Sequence, residues 1–206
     1  MLAEEPIIVH IAKRRNKMLI GITGIIGSGK STIGKWLKQQ GFLVYDSDEM
    51  VKEAYQNQAI FSQIQQTFFK KEPFDKRKLK EMIYQDKNYL TMLNQFIHPY
   101  VIQQIQQLKN QAKNTMIFVE IPLLFECHLE NLCDYTIVVT TNKEMQKERL
   151  KSRNPDAVDF LLYLQQQQFS QEEKSKRADF IIENSADFKT TEKSLESLVD
   201  KLKKIY

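Results

Sequence analysis

Short apolar runs alternate along the chain with longer segments in which apolar residues recur every three to four positions. The runs are near-continuous, as in strands that are buried on both faces. They are Met18–Ile22, Phe42–Tyr45, Met116–Val119, Asp134–Thr140 and Ala178–Asn184. Strands that alternate with helices form parallel sheets, because each crossover returns the chain to the same edge. The pattern therefore predicts a three-layer α/β fold, with a parallel sheet of about five strands flanked by helices.

The segment between the second and third runs is predicted to be helical for most of its length. Apolar spacings of three and four residues continue through residues 47–113, which is too long for a simple crossover. We expect a helical insertion, at about residues 50–113, that forms one wall of a substrate site. Pro73 is expected to break the helical pattern, and Pro99 to kink the longest helix or start a new one.

Two further segments differ from the rest in composition. Residues 154–177 are polar, with few apolar anchors and a glutamine run at 165–168, and they predict either a mobile lid or a solvated helix. Residues 1–17 precede the first strand, and their apolar stretch is too short to span a membrane and lacks a small-residue cleavage site. We expect these residues to form a disordered extension, and residues 18–206 to form a single domain.

The first apolar run leads into a glycine-rich loop. Residues 24–31 read GIIGSGKS, which matches GxxxxGK[ST] without a gap, and all six glycines of the chain fall between positions 21 and 41. Glycine lets backbone N–H groups converge on a polyphosphate, and a following helix adds the positive end of its dipole. The predicted phosphate-binding residues are Gly24, Gly27, Ser28, Gly29, Lys30, Ser31 and Thr32. We expect an otherwise solvent-facing Lys30 to reach the β- and γ-phosphates of ATP, and Ser31 to bind Mg²⁺.

Acidic residues follow the second apolar run, at the sheet edge where ligands bind in open α/β sheets. Asp46 and Asp48 are two residues apart. We expect Asp46 to face the nucleotide and Asp48 to cap the next helix; the alternative is that both only cap. After the fourth run, Gln146, Arg149 and Arg153 share one helix face, which forms either a phosphate clamp or a solvated charged surface.

The charge pattern limits the function classes. A net charge of +4 suits an anionic ligand, but the basic residues are interleaved with acids, unlike a nucleic-acid footprint. Cys127 and Cys133 lack CxxC spacing, and His128 adds a third possible metal ligand without a second pair. We therefore expect reduced thiols in a cytosolic protein, and neither nucleic acid nor membrane as a partner.

Several features occur in the order found in dephospho-CoA kinases, and the chain resembles that family from Met18 to about Asn184. They are the glycine-rich loop, Asp46-Ser47-Asp48, Arg77 before Leu79, His98-Pro99, Pro122-Leu123-Leu124-Phe125-Glu126, Gln146 with Arg149 and Arg153, and the last apolar run. The resemblance implies a cytoplasmic P-loop kinase with core, CoA-binding and lid regions. It implies transfer of the ATP γ-phosphate, with Mg²⁺, to the ribose 3′-hydroxyl of dephospho-CoA, the last step of coenzyme A synthesis.

The resemblance also implies roles for individual residues. Asp46 is the expected base, assisted in catalysis by Lys30 and Arg149. Arg149, Arg153 and Asn184 are expected to bind the nucleotide together with the loop. The expected substrate-binding residues are Asp46, Asp48, Arg77, His98, Pro122, Leu123 and Glu126. The residue pattern alone leaves open a purely structural, hydrogen-bonding role for His98, and it specifies no oligomeric state.

Three positions depart from the pattern of the family. Ile25 replaces a glycine, and a β-branched side chain resists positive φ. The turn before Arg77 is shortened to residues 70–73 and contains no glycine. Gln171 stands where the family tends to place an arginine, with Lys174 nearby. These departures affect the turnover and the lid electrostatics that we expect, and leave the expected nucleotide binding in place.

Other functions share a phosphate-binding loop. A kinase for another metabolite or nucleoside is the main alternative, because the loop does not specify the acceptor. A GTP-binding switch is suggested by residues 141–144, which read TNKE, but Met145 stands where an aspartate would recognise guanine. A non-catalytic nucleotide-binding protein is disfavoured by the presence of Lys30, Ser31 and Asp46.

Overall fold

The computed structural model describes residues 17–111, 115–153, 161, 163, 165, 166 and 168–206, and the strands of these residues form one parallel sheet. They are β1 (Lys17–Thr23), β2 (Leu43–Asp46), β3 (Thr115–Glu120), β4 (Tyr135–Thr140) and β5 (Phe180–Glu183). Their order across the sheet is β2-β3-β1-β4-β5, and each neighbouring pair is parallel. The predicted α/β fold with about five parallel strands is confirmed.

The central strand β1 separates two halves of the core. Alternate side chains of a strand point to opposite faces of a sheet, and Leu19 belongs to a different hydrophobic cluster from Ile20 and Ile22. On the Ile20 face pack α1 (Lys30–Gln39) and the C-terminal helix, while the helical segment after β2 covers the Leu19 face. Because β1 pairs with both β3 and β4, the loop that follows it lies at the middle of the carboxyl edge.

The segment between β2 and β3 is helical, as predicted. It contains α2 (Ser47–Gln56), α3 (Gln58–Ile64), a π-helical turn (Gln65–Phe69), α4 (Lys76–Gln85) and α5 (Lys87–Gln111). The alternative that a new helix starts at Pro99 is wrong, because α5 continues through this residue. Ile97 and Val101 flank the proline and are both buried in the same cluster. Tertiary packing thus offsets the backbone hydrogen bond that proline removes.

The glycine-free turn before α4 is made possible by Lys70. This residue ends the π-helical turn with a φ of 53°, which is a conformation that glycine adopts more readily than other residues. The N–H of Lys70 donates to the carbonyl oxygen of Gln65 at 2.9 Å. Asp75 then caps α4 by accepting from the backbone N–H groups of Arg77 and Lys78. The shortened turn therefore still connects the helices of the insertion.

The further helices whose bounds lie within the described residues follow β3. They are a 3₁₀ turn (Leu129–Leu132), α6 (Lys143–Arg153), α7 (Gln171–Arg177) and α8 (Phe188–Ile205). Within the segment predicted to be a lid, α7 packs on the domain through the fully buried side chain of Lys174. None of the helices described has the length and apolar character needed to cross a membrane.

Some of the predicted boundaries lie outside the described residues. These are residues 1–16 of the extension, residues 112–114 at the end of the insertion, and residues 154–160, 162, 164 and 167 of the lid segment. Lys17 is the first residue of β1 and pairs with Thr115, so the strand begins one residue earlier than predicted. The division into core, insertion and lid stays a prediction.

Candidate active site

The glycine-rich loop joins β1 to α1 in a conformation that leaves no room for side chains at its glycines. A Cβ atom on Gly24 would lie 2.4 Å from a backbone oxygen of β4 and 2.6 Å from Ser28 Oγ. Gly27 and Gly29 have φ values of 81° and 96°, in the left-handed region that favours glycine. Ile25 is not among the residues with positive φ, so the expected conflict at this position is wrong.

The Ser28 hydroxyl is buried and makes no hydrogen bond with any residue that the structure describes. A buried hydroxyl without a partner costs free energy, which favours a ligand that supplies one. The helix α1 begins at Lys30, and its N-cap residue, Gly29, provides no side-chain hydrogen bond. The first N–H groups of α1 and the positive end of its dipole are therefore directed to the loop. These features fit the phosphates of a nucleotide.

Lys30 is only partly exposed and its ammonium bonds to the loop, which corrects the expected solvent-facing position. Its Nζ atom donates to the carbonyl oxygens of Gly24 at 2.8 Å and Ile25 at 3.2 Å. Burial, and then the nearby charge of Lys174, lower the pKa of Lys30 to about 8. The protein therefore compensates the positive charge of Lys30 only in part. An anionic phosphate would supply the remaining negative charge.

Asp46 and Glu120 end neighbouring strands at the same edge of the sheet, and they are partners in the register of β2 and β3. Asp46 Oδ1 accepts a hydrogen bond from the backbone N–H of Asp48 at 2.9 Å, so Asp46 is the N-cap of α2. The expectation that Asp48 forms the cap is wrong, because α2 begins directly after β2 with no residue between them. The cap uses one carboxylate oxygen of Asp46, and the other can serve a ligand.

Glu120 is a site residue that the sequence analysis missed. Only 8% of it is exposed, and a Cβ atom on Gly34 would lie 2.0 Å from its Oε1. Burial, and then the charge of Asp46, raise the pKa of Glu120, while Lys30 and a hydrogen bond with Ser31 act in the opposite direction. The available signal was an acid at the end of a buried strand. The oxygens of Ser31, Asp46 and Glu120 are of the type that Mg²⁺ prefers, so the residues fit the expected ion.

Three side chains hold the outer side of the loop. Gln146 Nε2 donates to the carbonyl oxygen of Ile26 at 2.6 Å. Arg149 Nη1 and Asn184 Nδ2 both donate to the carbonyl oxygen of Ser28, at 3.0 Å and 2.9 Å, and Arg149 Nη2 donates to Asn184 O at 2.9 Å. A solvated charged surface is therefore the wrong interpretation for Gln146 and Arg149. Their contacts in this structure include the loop carbonyls of Ile26 and Ser28.

Arg153 is the last residue of α6, and its side chain lies outside the described part of the chain. The residues that resembled a guanine-binding motif have structural roles. Asn142 Oδ1 accepts from the N–H of Met145 at 2.8 Å, and the N–H of Asn142 donates to Ser185 Oγ at 2.8 Å. Asn142 thus anchors the start of α6 to the loop after β5, and this arrangement does not support a GTP-binding switch.

The turn after β3 contains several of the predicted substrate-binding residues. Glu126 Oε1 lies 2.8 Å from Lys174 Nζ and accepts from the N–H of Phe169 at 2.7 Å. Lys174 Nζ also donates to the carbonyl oxygen of Pro122 at 2.7 Å. The Glu126 carboxylate is therefore bonded to protein groups, and Lys174 joins α7 to this turn. Neither contact could be predicted from residue spacing. Leu123 is half-buried in the same turn.

His98 lies beside this turn, and Arg77 lies on the helical insertion. His98 Nε2 is 3.9 Å from Cys127 Sγ, and burial lowers the pKa of His98, which favours the neutral imidazole. Cys127 and Cys133 are free cysteines, and burial raises the pKa of Cys127 to about 11. The Arg77 side chain is exposed in the first turn of α4, and the contacts of the described residues do not join it to the loop.

Comparison with known proteins identifies the family. The family model for dephospho-CoA kinase matches residues 18–190. The chain belongs to the dephospho-CoA kinase family. It is 36% identical over 184 residues to a dephospho-CoA kinase of Fusobacterium nucleatum, which covers 87% of this chain and 95% of that one. As a member of this family it is an ATP-dependent kinase.

Solved structures agree with this assignment. A protein of Thermus thermophilus, 29% identical, superposes with a TM-score of 0.78 over 91% of this chain and 99% of its own. The dephospho-CoA kinase of Campylobacter jejuni, 28% identical, gives a TM-score of 0.59 over 90% of this chain and 97% of its own. The P-loop kinase fold implied by the resemblance is therefore confirmed along most of the chain.

Proposed function

We propose that this protein transfers the γ-phosphate of ATP to the ribose 3′-hydroxyl of dephospho-CoA and so forms coenzyme A. The observation that carries the proposal is a phosphate-binding loop beside two strand-end carboxylates, Asp46 and Glu120, in a chain of this family. In the reaction the 3′-oxygen forms a bond to the γ-phosphorus, while the bond between that phosphorus and the bridging oxygen breaks. ADP leaves with the bridging oxygen, and the hydroxyl proton passes to a carboxylate.

Asp46 is the group that we assign as base. It lies at the ligand edge of the sheet, and a positioned carboxylate of this kind typically contributes on the order of 10² to 10⁴ in rate. Lys30 supplies positive charge to the phosphates, where positioning and charge are the main catalytic effects. Arg149 and Asn184 keep the carbonyl oxygen of Ser28 turned outward, which directs the opposite side of the loop backbone to the nucleotide.

Mg²⁺ is the metal that we expect with the nucleotide. When bound, it would neutralise charge on the phosphate oxygens. Ser31 and Glu120 are the residues that would hold it, with Asp46 nearby. Within the described ranges no three His, Cys, Asp or Glu side chains gather as a metal site. The ion would therefore take most of its ligands from phosphate oxygens and water, as is usual for Mg²⁺ in kinases.

The acceptor is expected to lie between the helical insertion and the turn after β3. We assign Asp48, Arg77, His98, Pro122 and Leu123 to its recognition. Glu126 has a supporting role, because its oxygens bond to Lys174 and Phe169. We place the reaction in the cytoplasm, since the two free cysteines suit a reducing compartment.

An ADP-release assay coupled to NADH oxidation tests the function. The acceptors are dephospho-CoA, adenosine, uridine and shikimate, each with ATP and Mg²⁺, and Lys30→Met is the inactive control. We expect dephospho-CoA alone to accelerate ADP release, with coenzyme A as the product identified by mass spectrometry. Acceleration by one of the other acceptors and not by dephospho-CoA would overturn the assignment.

A further inference from the structure

Lys174 is a charged residue whose side chain is fully buried. An ammonium group has three N–H donors, and here each has an acceptor on another element. Lys174 Nζ donates to Pro122 O at 2.7 Å, to Thr23 Oγ1 at 3.3 Å and to Glu126, whose Oε1 is 2.8 Å away. The side chain extends from α7 across the carboxyl edge of the sheet to the ends of β1 and β3.

The groups that accept hydrogen bonds from Lys174 occupy positions that matter for phosphoryl transfer. Thr23 is the last residue of β1 and directly precedes Gly24, the first glycine of the phosphate-binding loop. Pro122 lies two residues after Glu120, in the turn assigned to the acceptor. Thr23 Oγ1 itself donates to Pro122 O at 3.2 Å. The Thr23 hydroxyl and the Lys174 ammonium thus connect the start of the phosphate-binding loop to the start of the turn after β3.

Stability does not by itself explain a buried ion pair at this position. Taking both charges out of water costs free energy that their attraction only partly returns, and well-packed apolar residues of similar size are often at least as stabilising. Glu126 fixes the ammonium and also accepts from the N–H of Phe169, which joins the segment before α7 to the same point. The hydrogen bonds of the ion pair fix the direction of the Lys174 ammonium. An apolar side chain at this position would pack but would fix no direction.

We propose that Lys174 is a positioning residue for phosphoryl transfer. Its ammonium, held by Glu126, sets the spacing between the phosphate-binding loop at Thr23 and the turn after β3 at Pro122. Lys174 acts through these two groups and touches neither reactant. A misplacement of about 1 Å between reacting groups can cost on the order of 10² in rate. Loss of Lys174 should therefore lower kcat more than it changes KM for ATP. The inference rests on the proposed function only for the identity of the acceptor.

The test compares Lys174→Met, Glu126→Gln and the double variant Lys174→Met/Glu126→Gln with the wild-type protein. Lys176→Met is the matched control, because Lys176 is an exposed lysine of the same helix. Melting temperature, kcat and KM for ATP and for the acceptor are measured for each. We expect Lys174→Met to lose stability, because it leaves Glu126 buried without its cation. The double variant should regain most of the melting temperature, yet keep a kcat at least about tenfold below wild type.

Recovery of both stability and kcat in the double variant would show that Lys174 is only structural and would overturn the proposal. If Lys174→Met does not fold, Thr23→Val and Thr23→Ser answer the same question without a buried charge. Valine removes the hydroxyl that joins Thr23 to Lys174 and to the carbonyl oxygen of Pro122, and serine keeps it. We expect a lower kcat for valine with rescue by serine, and equal rates for the two variants would contradict the proposal.

The outcome is separate from that of the function. If the wild-type protein prefers another acceptor of the panel, the assignment to dephospho-CoA fails. The kcat ratios of the same variants are then measured with that acceptor, and a lasting loss in the double variant still supports the positioning role. If the wild-type protein uses dephospho-CoA and the double variant does so at the wild-type rate, only the role of Lys174 is rejected.

Discussion

Asp46 accepts the backbone N–H of Asp48 at 2.9 Å, so the carboxylate assigned as base is also the N-cap of α2. The two roles use different oxygens of one side chain. The capping hydrogen bond fixes the Asp46 side chain at the end of β2. This bond alone orients the second carboxylate oxygen at the edge of the sheet. A base fixed in this way loses little conformational entropy when the acceptor binds.

The first prediction concerns the base. Asp46→Asn should lower kcat by at least about 10², because the amide lacks a basic oxygen. Melting temperature and ATP affinity should stay near the wild-type values, since asparagine caps helices about as well as aspartate. Steady-state kinetics, a thermal melt and nucleotide titration measure the three quantities. Asp48→Asn is the comparison: Asp48 is exposed in the first turn of α2 and is assigned to acceptor binding, so this change should raise KM for the acceptor more than it lowers kcat. A severe Asp48→Asn beside a mild Asp46→Asn would reverse our assignment.

The second prediction concerns the charge of Lys30. Lys30→Met keeps most of the side-chain volume and removes the ammonium, so kcat should fall by at least about 10². The fold should persist, because among the described residues the Nζ atom of Lys30 donates only to two loop carbonyls, Gly24 O and Ile25 O. Circular dichroism tests whether the fold persists, and steady-state kinetics measure the loss of kcat. Near-normal turnover would remove the glycine-rich loop from the mechanism.

The third prediction concerns the support of the loop. Arg149 joins the carbonyl oxygens of Ser28 and Asn184 with two different nitrogens, and the single ammonium of lysine cannot reproduce this fork. Arg149→Lys should therefore raise KM for ATP by about tenfold, since one or two hydrogen bonds to a charged group are lost. Lys151→Met, an exposed change on the same helix, is the control. Unchanged ATP binding in Arg149→Lys would show that the loop keeps its shape without the fork.

The sheet and the phosphate-binding loop were predictable from sequence because their signals are local. Near-continuous apolar runs mark strands that are buried on both faces, and the loop needs glycines at fixed spacing. Glu120 and Lys174 were missed for a different reason. Glu120 becomes a site residue only when β2 and β3 pair and bring it beside Asp46. Lys174 lies in a polar helix of seven residues, and its burial depends on acceptors more than 45 positions away.

The assignment of the helix cap failed for a related reason. Spacing alone does not decide which of Asp46 and Asp48 caps, because residues two apart lie on the same face of a continuing strand; here the strand ends at Asp46 and the helix starts at Ser47. Element boundaries that differ by a single residue decide which carboxylate caps. At Pro99 the local rule for proline was overridden by packing on both sides of the helix, through Ile97 and Val101.

The fourth prediction concerns pH. Burial, and then Asp46, raise the pKa of Glu120 above its ordinary value of 4.5. The folded protein thus binds more protons than the unfolded chain between pH 4.5 and the raised pKa, so stability falls as pH rises through that interval. Glu120→Gln removes this titration. The melting temperature of the variant minus that of wild type should increase from about pH 4 to pH 8, measured without nucleotide or Mg²⁺. A difference that is constant across this range would contradict the raised pKa.

The fifth prediction concerns Gly34, which lies inside α1 against the carboxylate of Glu120. Alanine is favoured over glycine inside a helix by about 1 kcal/mol, so Gly34→Ala would be expected to stabilise the protein on propensity alone. However, the new Cβ would lie 2.0 Å from Glu120 Oε1, and the end of that flexible side chain must move. We therefore expect a nearly unchanged melting temperature and a loss of kcat of about tenfold or more, because the carboxylate is displaced from Ser31.

A double-mutant cycle with Glu120→Ala isolates this effect. Once the carboxylate is absent, Gly34→Ala has nothing to displace, so it should add no further loss of kcat. In the Glu120→Ala background, Gly34→Ala should show the full stabilisation expected from the helix propensity of alanine. This corresponds to a rise in melting temperature of about 2–4 °C for a chain of this length. The two substitutions must therefore be non-additive in both readouts. Additive losses of kcat would mean that Gly34→Ala acts through α1 or the phosphate-binding loop and not through the position of Glu120.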